Sequence, residues 1–143
     1  MTVKQISVFL ENKPGKLAEF SDILSANNID MRALSLAEAA DFGIVRVIVD
    51  DVYNASTILK DAGYVFSITK VLAVVIPDEP GGLSKVIRTL GDNGVNMEYM
   101  YAFTTPKKGQ ACMIFRVEDN QKAIEVLQSN NIRPVCQDEL VDL

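Results

Sequence analysis

Two short segments hold the residues best suited to chemistry in this 143-residue chain. They are Asn12-Lys13-Pro14-Gly15-Lys16-Leu17 and Asp78-Glu79-Pro80-Gly81-Gly82-Leu83. Each sets a Pro-Gly pair between an alternating apolar run and an apolar run of helical period. A loop of this kind presents the free amides of a helix start, with their partial positive charge, to an anionic group such as a carboxylate. Gly15 and the pair Gly81-Gly82 remove side chains where a bound molecule would approach the backbone. Asn12 and Asp78 add oxygens able to accept from an ammonium group. The same residues also suit a plain strand-to-helix turn in which Asn12 and Asp78 are helix caps.

The rest of the sequence removes most other chemistry. It contains no His, so Ser-His, Cys-His and His-metal catalysis are excluded, and no metal or cofactor set is visible. Cys112 and Cys136 are too far apart for a CxxC site and lie in apolar surroundings, which reads as buried reduced thiols. Glu11, Asp50, Asp51 and Asp119 fit solvated loops and helix starts rather than an acid-base pair. The chain is therefore expected not to be an enzyme. A net charge of −5 argues against a phosphate-binding surface, so no nucleic-acid partner is expected. The nearest approach to an RNA-binding signature, Asp41-Phe42-Gly43-Ile44-Val45-Arg46-Val47, lacks the basic residue and aromatic pair. Val71–Ile76, six residues, is the longest apolar stretch and is too short to span a membrane. The first residues enter a strand pattern without a signal-peptide core, so the expected compartment is the cytoplasm.

The elements that position the two loops repeat. Pro14-Gly15 returns as Pro80-Gly81 at an offset of 66, and Leu24, Ile29, Asp30 and Met31 match Leu90, Val95, Asn96 and Met97 at the same offset. After a two-residue insertion near Pro106-Lys107-Lys108-Gly109, Ile44–Val49 matches Cys112–Val117. Within the first copy, Ile6, Val8 and Leu10 alternate as a strand, and Leu17, Phe20 and Leu24 follow helical spacing. Asn27-Asn28 and Asn93-Gly94 tolerate the left-handed backbone that ends a helix. Strands are expected at 30–37 and 43–49, and again at 96–104 and 111–117. Second helices follow from Ala55, Ile58, Leu59 and Ala62, and from Ala123, Val126 and Leu127, with Asp51 and Asp119 near their starts. Each copy is expected to close on a strand, at 64–69 and at 132–137.

Strand-helix-strand-strand-helix-strand, twice, predicts an α+β fold of two ferredoxin-like βαββαβ units, antiparallel sheets with helices on one face. The units divide as 1–69 and 70–143, and the strand around Val71–Ile76, apolar on both sides, is expected to be buried on both faces. A tandem of this order, with those Pro-Gly loops, resembles the ACT domain family along essentially the whole chain. The resemblance implies a stand-alone regulatory or sensor protein that binds a free amino acid at the interface between ACT-like domains. It places ligand contacts on Asn12, Lys13, Pro14, Gly15, Lys16 and Leu17, and on Asp78, Glu79, Pro80, Gly81, Gly82 and Leu83. It sets Asn28, Ile29 and Met31, with Asn96 and Met97, as the opposite wall, although the two methionines also suit core or interface packing. Tyr99 and Tyr101 alternate on one strand face and fit sheet packing. Expected partners are an amino acid, a second copy in a homodimer, and an enzyme of amino-acid metabolism. The competing reading is an interaction module that docks or self-associates without a small molecule. The second loop has Asp78, Glu79 and a bare Gly82 where the first has Asn12, Lys13 and Lys16, so the two sites are not expected to be equivalent. The resemblance makes the first loop the preferred site, because its Asn-x-Pro-Gly form is nearer the amino-acid-binding members.

Overall fold

The computed structural model describes residues 1–105 and 107–143. Pro106, which the sequence reading placed in the connection carrying the two-residue insertion, lies outside the described residues. The chain divides into two compact units. The amino-terminal unit is Lys4–Thr69; the carboxy-terminal unit is Lys70–Leu143 together with Met1–Val3. Gln128 Nε2 donates to Met1 Sδ at 3.1 Å, one contact that ties the first residues to the latter unit.

In the amino-terminal unit, β1 (Val3–Glu11), β2 (Met31–Ala39) and β3 (Phe42–Val49) form an antiparallel sheet with β3 in the middle. Helices α1 (Lys16–Ala26) and α2 (Val52–Asp61) cover one face. Ile6, Val8 and Leu10 alternate onto that face, where Phe20 and Leu24 of α1 and Ala55 and Leu59 of α2 meet them. Phe20 is fully buried, a contribution of about 2–3 kcal/mol, and its ring meets Tyr64 edge-on at 6.0 Å.

The carboxy-terminal unit repeats this plan. Its strands are β4 (Val65–Pro77), β5 (Met97–Phe103) and β6 (Gln110–Val117), with β6 central, and its helices are α3 (Gly82–Asp92) and α4 (Asn120–Ser129). The cores correspond position by position. Ile6, Val8, Leu10 and Leu24 become Leu72, Val74, Ile76 and Leu90, while Val49, Ala55 and Leu59 become Val117, Ala123 and Leu127. Even the irregularity at the start of the second strand recurs, between Met31 and Ala33 and between Met97 and Tyr99. Val71–Val74 are fully buried, as expected for a run apolar on both sides.

Three details differ from the sequence reading. The strand at 64–69 does not stop there; Val65–Pro77 is one continuous strand that runs through the unit boundary. The closing strand at 132–137 is not formed. Pro134 has no N–H to give a ladder; Val135 N donates to Ala73 O at 2.8 Å, while Ile132 N and Cys136 N donate elsewhere. Cys136 then opens a 3-10 turn, Gln137–Asp142, whose Glu139 carboxylate accepts from Cys136 N at 2.6 Å and from Arg133 at 2.7 Å. Finally, neither Asn12 nor Asp78 caps a helix, because α1 and α3 start from Gly15 and Gly81.

Candidate functional site

The four helix starts fall into two kinds. At α2 and α4 a carboxylate closes the end: Asp51 accepts from Asn54 N at 3.0 Å and Asp119 accepts from Lys122 N at 3.1 Å. At α1 and α3 the cap is a glycine in the left-handed region, with φ of 88° at Gly15 and 86° at Gly81, and no side chain caps the amides. That backbone conformation strains any residue with a Cβ. It turns the chain sharply from strand to helix; Lys16 N donates back to Lys13 O at 3.3 Å, and no side chain caps the amides that follow.

Asn12 holds this loop in place. Its backbone N–H donates to Asp41 O at 2.9 Å and its side-chain Nδ2 to Ala40 O at 3.0 Å. Both acceptors lie in the two-residue turn between β2 and β3, where Ala40 takes φ of 55°. The sequence reading gave Asn12 oxygen to an ammonium group. In the structure its nitrogen clamps the hairpin tip, leaving Oδ1 as its unengaged side-chain atom. The second copy keeps the backbone half of this clamp, Asp78 N to Gly109 O at 3.0 Å.

Between loop and hairpin lies a cleft of about 240 Å³. Glu11, Asn12, Lys13 and Leu17 line one side, and Leu36, Ala37, Glu38 and Gly43 the other, with Leu10 at the base of the loop. Glu38 stands opposite Gly43 in the strand register. A Cβ at Gly43 would sit 3.2 Å from Leu36 Cδ1 and 3.3 Å from Ala37 O, so the absent side chain is part of the cleft's volume. At the rim Lys13 Nζ pairs with Glu11 at 2.9 Å, which holds the Glu11 carboxyl below its ordinary range and lifts the Lys13 ammonium above its own. The cleft thus offers both charges over an aliphatic floor.

A second depression, about 600 Å³, lies on the other side of the loop among Phe9, Lys16, Glu19, Ile23, Tyr64 and Val65. Its charged groups engage each other, Lys16 with Glu19 at 3.6 Å. Burial raises the Tyr64 hydroxyl above its ordinary value, reinforced by nearby Glu19.

The remaining sequence-based candidates are not in the cleft. Asn28, Ile29 and Met31 line a separate depression with Ser21, Ser25 and Asp30. Asn96 lines another with Gly94, Glu118, Asp119 and Lys122. Met31 and Met97 pack against the two helix-face cores, and the rings of Tyr99 and Tyr101 stack at 6.5 Å. Gly82 has a different reason from the one read in sequence: a Cβ there would overlap the Pro77 carbonyl oxygen. The close approach that demands glycine comes from its own loop. Conversely, the hairpin wall of Leu36, Glu38 and Gly43 went unread. Leu34 and Leu36 alternate as core residues would, yet they are 42% and 54% exposed, and Glu38 at the end of that run was the available signal.

Among the described residues, no group of three or more His, Cys, Asp or Glu is placed to hold a metal ion. None of the described helices is long and apolar enough to cross a membrane.

Comparison with known proteins places this architecture. The family model described as an ACT domain pair matches residues 1–143. Among solved structures, protein BT0572 from Bacteroides thetaiotaomicron is similar at 40% identity and a TM-score of 0.92, over 100% of this chain and 98% of that one. The regulatory subunit of aspartate kinase from Thermus thermophilus, in its ligand-free form, shares the fold at 16% identity and a TM-score of 0.62, covering 88% of this chain and 90% of that one. The corresponding subunit from Thermus flavus does so at 15% identity and a TM-score of 0.59. No curated protein sequence matches. With two βαββ repeats, Pro-Gly loops at both first helices and a family match from end to end, the chain belongs to the ACT domain-pair family.

Proposed function

We propose that this chain is a non-catalytic regulatory module that binds a free amino acid through the loop between β1 and α1. One observation carries the reading: α1 opens at Gly15 without a side-chain cap, beside a cleft that sets Lys13, Glu11 and Glu38 around aliphatic walls. A zwitterion needs a donor for its carboxylate and an acceptor for its ammonium, and both stand within that one cleft. The structural likeness to aspartate kinase regulatory subunits supports an enzyme of amino-acid metabolism as the regulated partner. Phe9 and Phe42, about 45% exposed and 6.2 Å apart, give an apolar patch that supports a homodimer. Two free cysteines fit a cytoplasmic protein.

Thermal unfolding in the presence of each common amino acid tests the reading. A ligand at about 100 times its Kd adds roughly 2.7 kcal/mol, which for a chain of this size raises Tm by about 5 to 10 °C. Absence of any shift at millimolar concentrations of all of them refutes it.

A further inference from the structure

We infer that the cleft between the β1–α1 loop and the β2–β3 hairpin takes a small neutral aliphatic amino acid, one molecule per chain. The inference rests on the amino-acid-binding reading above and narrows it to a ligand class and a stoichiometry.

Size comes first. At about 240 Å³ the cleft lies below the range typical of drug-sized ligands and cofactors, and suits a single amino acid. The lining then selects the side chain. Leu10, Leu17 and Leu36 form the apolar part, and Leu36, 54% exposed on a strand, has apolar surface that the protein's own core does not cover. Gly43 keeps the floor open beside it. A ligand carboxylate or ammonium placed on this surface would lose water without gaining a partner, a cost that aliphatic carbon avoids. The charged rim meets the ligand's own two charges: Glu38 faces its ammonium, and Lys13 with the open end of α1 faces its carboxylate.

The stoichiometry follows from the repeat. The strand pairings Leu36–Val45 and Ala102–Met113 fix the correspondence between the two hairpins. By that correspondence the second unit has Ala102 for Leu36, Thr104 for Glu38, Pro77 for Glu11 and Glu79 for Lys13. The hairpin carboxylate, the loop cation at the Lys13 position and the large apolar wall are therefore all replaced there.

Calorimetric titration of the full chain tests this. L-Valine, L-leucine and L-isoleucine are titrated alongside glycine, L-aspartate and L-lysine, with the remaining common amino acids screened by thermal shift. The expected result is saturation at one molecule per chain by an aliphatic amino acid, at least tenfold tighter than glycine, aspartate or lysine. Glu38→Gln, at an exposed position, weakens that ligand at least tenfold and leaves Tm unchanged, whereas Thr104→Ala has no effect. Tighter binding of aspartate or lysine, two sites per chain, or full affinity in Glu38→Gln overturns the inference and leaves the broader reading standing. Failure of every amino acid to bind overturns both.

Discussion

Replacing Gly82 with Ala probes one contact that sets the second loop apart from the first. Gly82 is the first residue of α3, and its Cα packs against the carbonyl oxygen of Pro77 closely enough that a Cβ would overlap it. The neighbouring atom is backbone, so it cannot swing aside as a side chain would. Either Pro77 moves, straining the 3.0 Å bond it accepts from Glu79 N, or the start of α3 moves off its sheet. Overpacking of this kind costs about 1–3 kcal/mol, and the strained hydrogen bond adds up to about 1 kcal/mol. Alanine's better helix propensity returns somewhat less than 1 kcal/mol at a helix end. The net expectation is a loss of about 2 kcal/mol. With an unfolding entropy of about 2.1 cal/mol/K per residue over 143 residues, that is a fall in Tm of about 7 °C for a single cooperative transition. Gly91→Ala is the matched control: also in α3, with nothing within 4 Å of the new Cβ, it should gain about 0.5–1 kcal/mol. Urea unfolding followed by circular dichroism, with the slope unchanged, measures both. Gly82→Ala as stable as the parent chain would refute the steric account of the second loop.

Other expectations follow from the caps, the thiols and the carboxyl terminus. Asp51→Ala and Asp119→Ala should each cost about 1 kcal/mol, and the double variant should cost their sum because the caps share no partner; Asn at either position should restore most of it. Cys112 is 1% exposed and burial pushes its thiol up to about 11, so iodoacetamide at pH 8 should leave it unmodified in the native chain, as peptide mass spectrometry reads directly, and alkylate it in urea. Equal native labelling of Cys112 and Cys136 would contradict its burial. The Glu139 carboxyl is held below its ordinary 4.5, chiefly by Arg133 and then by the Cys136 amide. A lowered carboxyl stabilises above the unfolded value and stops doing so as pH falls through the folded one. Protection of the Cys136 amide against hydrogen exchange, corrected for intrinsic rate, should therefore hold above about pH 4.5 and fade below it, and Glu139→Gln should remove that dependence.

Much of this fold is readable from the sequence because the core repeats at a fixed offset on either side of one short insertion. A shift of 66 residues carries Val8 to Val74 and Leu24 to Leu90, and after the hairpin insertion a shift of 68 carries Leu59 to Leu127. Periodicity and offset agree at each of these positions, so the elements could be assigned without structure. The last strand fails for a local reason: the repeat order calls for a strand at 132–137, but Pro134 cannot donate, and Arg133 pairs with Glu139 of the turn that follows. The hairpin wall of the cleft fails for a non-local one. Leu36 has the period of a core residue, and its exposure depends on how far the helices extend over β2, which no short window of sequence records. At Gly82 the structure adds the Pro77 carbonyl as a close neighbour, because a glycine in sequence states that something comes close and not what does.

Once the cores are seen to be equivalent, charge decides how differently the two loops can act. From Glu11 to Lys16 the formal charge is +1, and from Pro77 to Gly82 it is −2, a difference of three. A carboxylate at either helix start lies on the order of 7 Å from these groups, where one unit charge in water is worth about 0.6 kcal/mol. Screening at a Debye length of about 8 Å reduces that by roughly half, so three charges separate the loops by about 1 kcal/mol. A helix start itself attracts an anion by about 0.3–1 kcal/mol. The charges of the second loop are therefore large enough to cancel what its helix offers, while those of the first add to it. Both helices open on the same left-handed glycine, yet the charges beside α1 favour a carboxylate and those beside α3 oppose one.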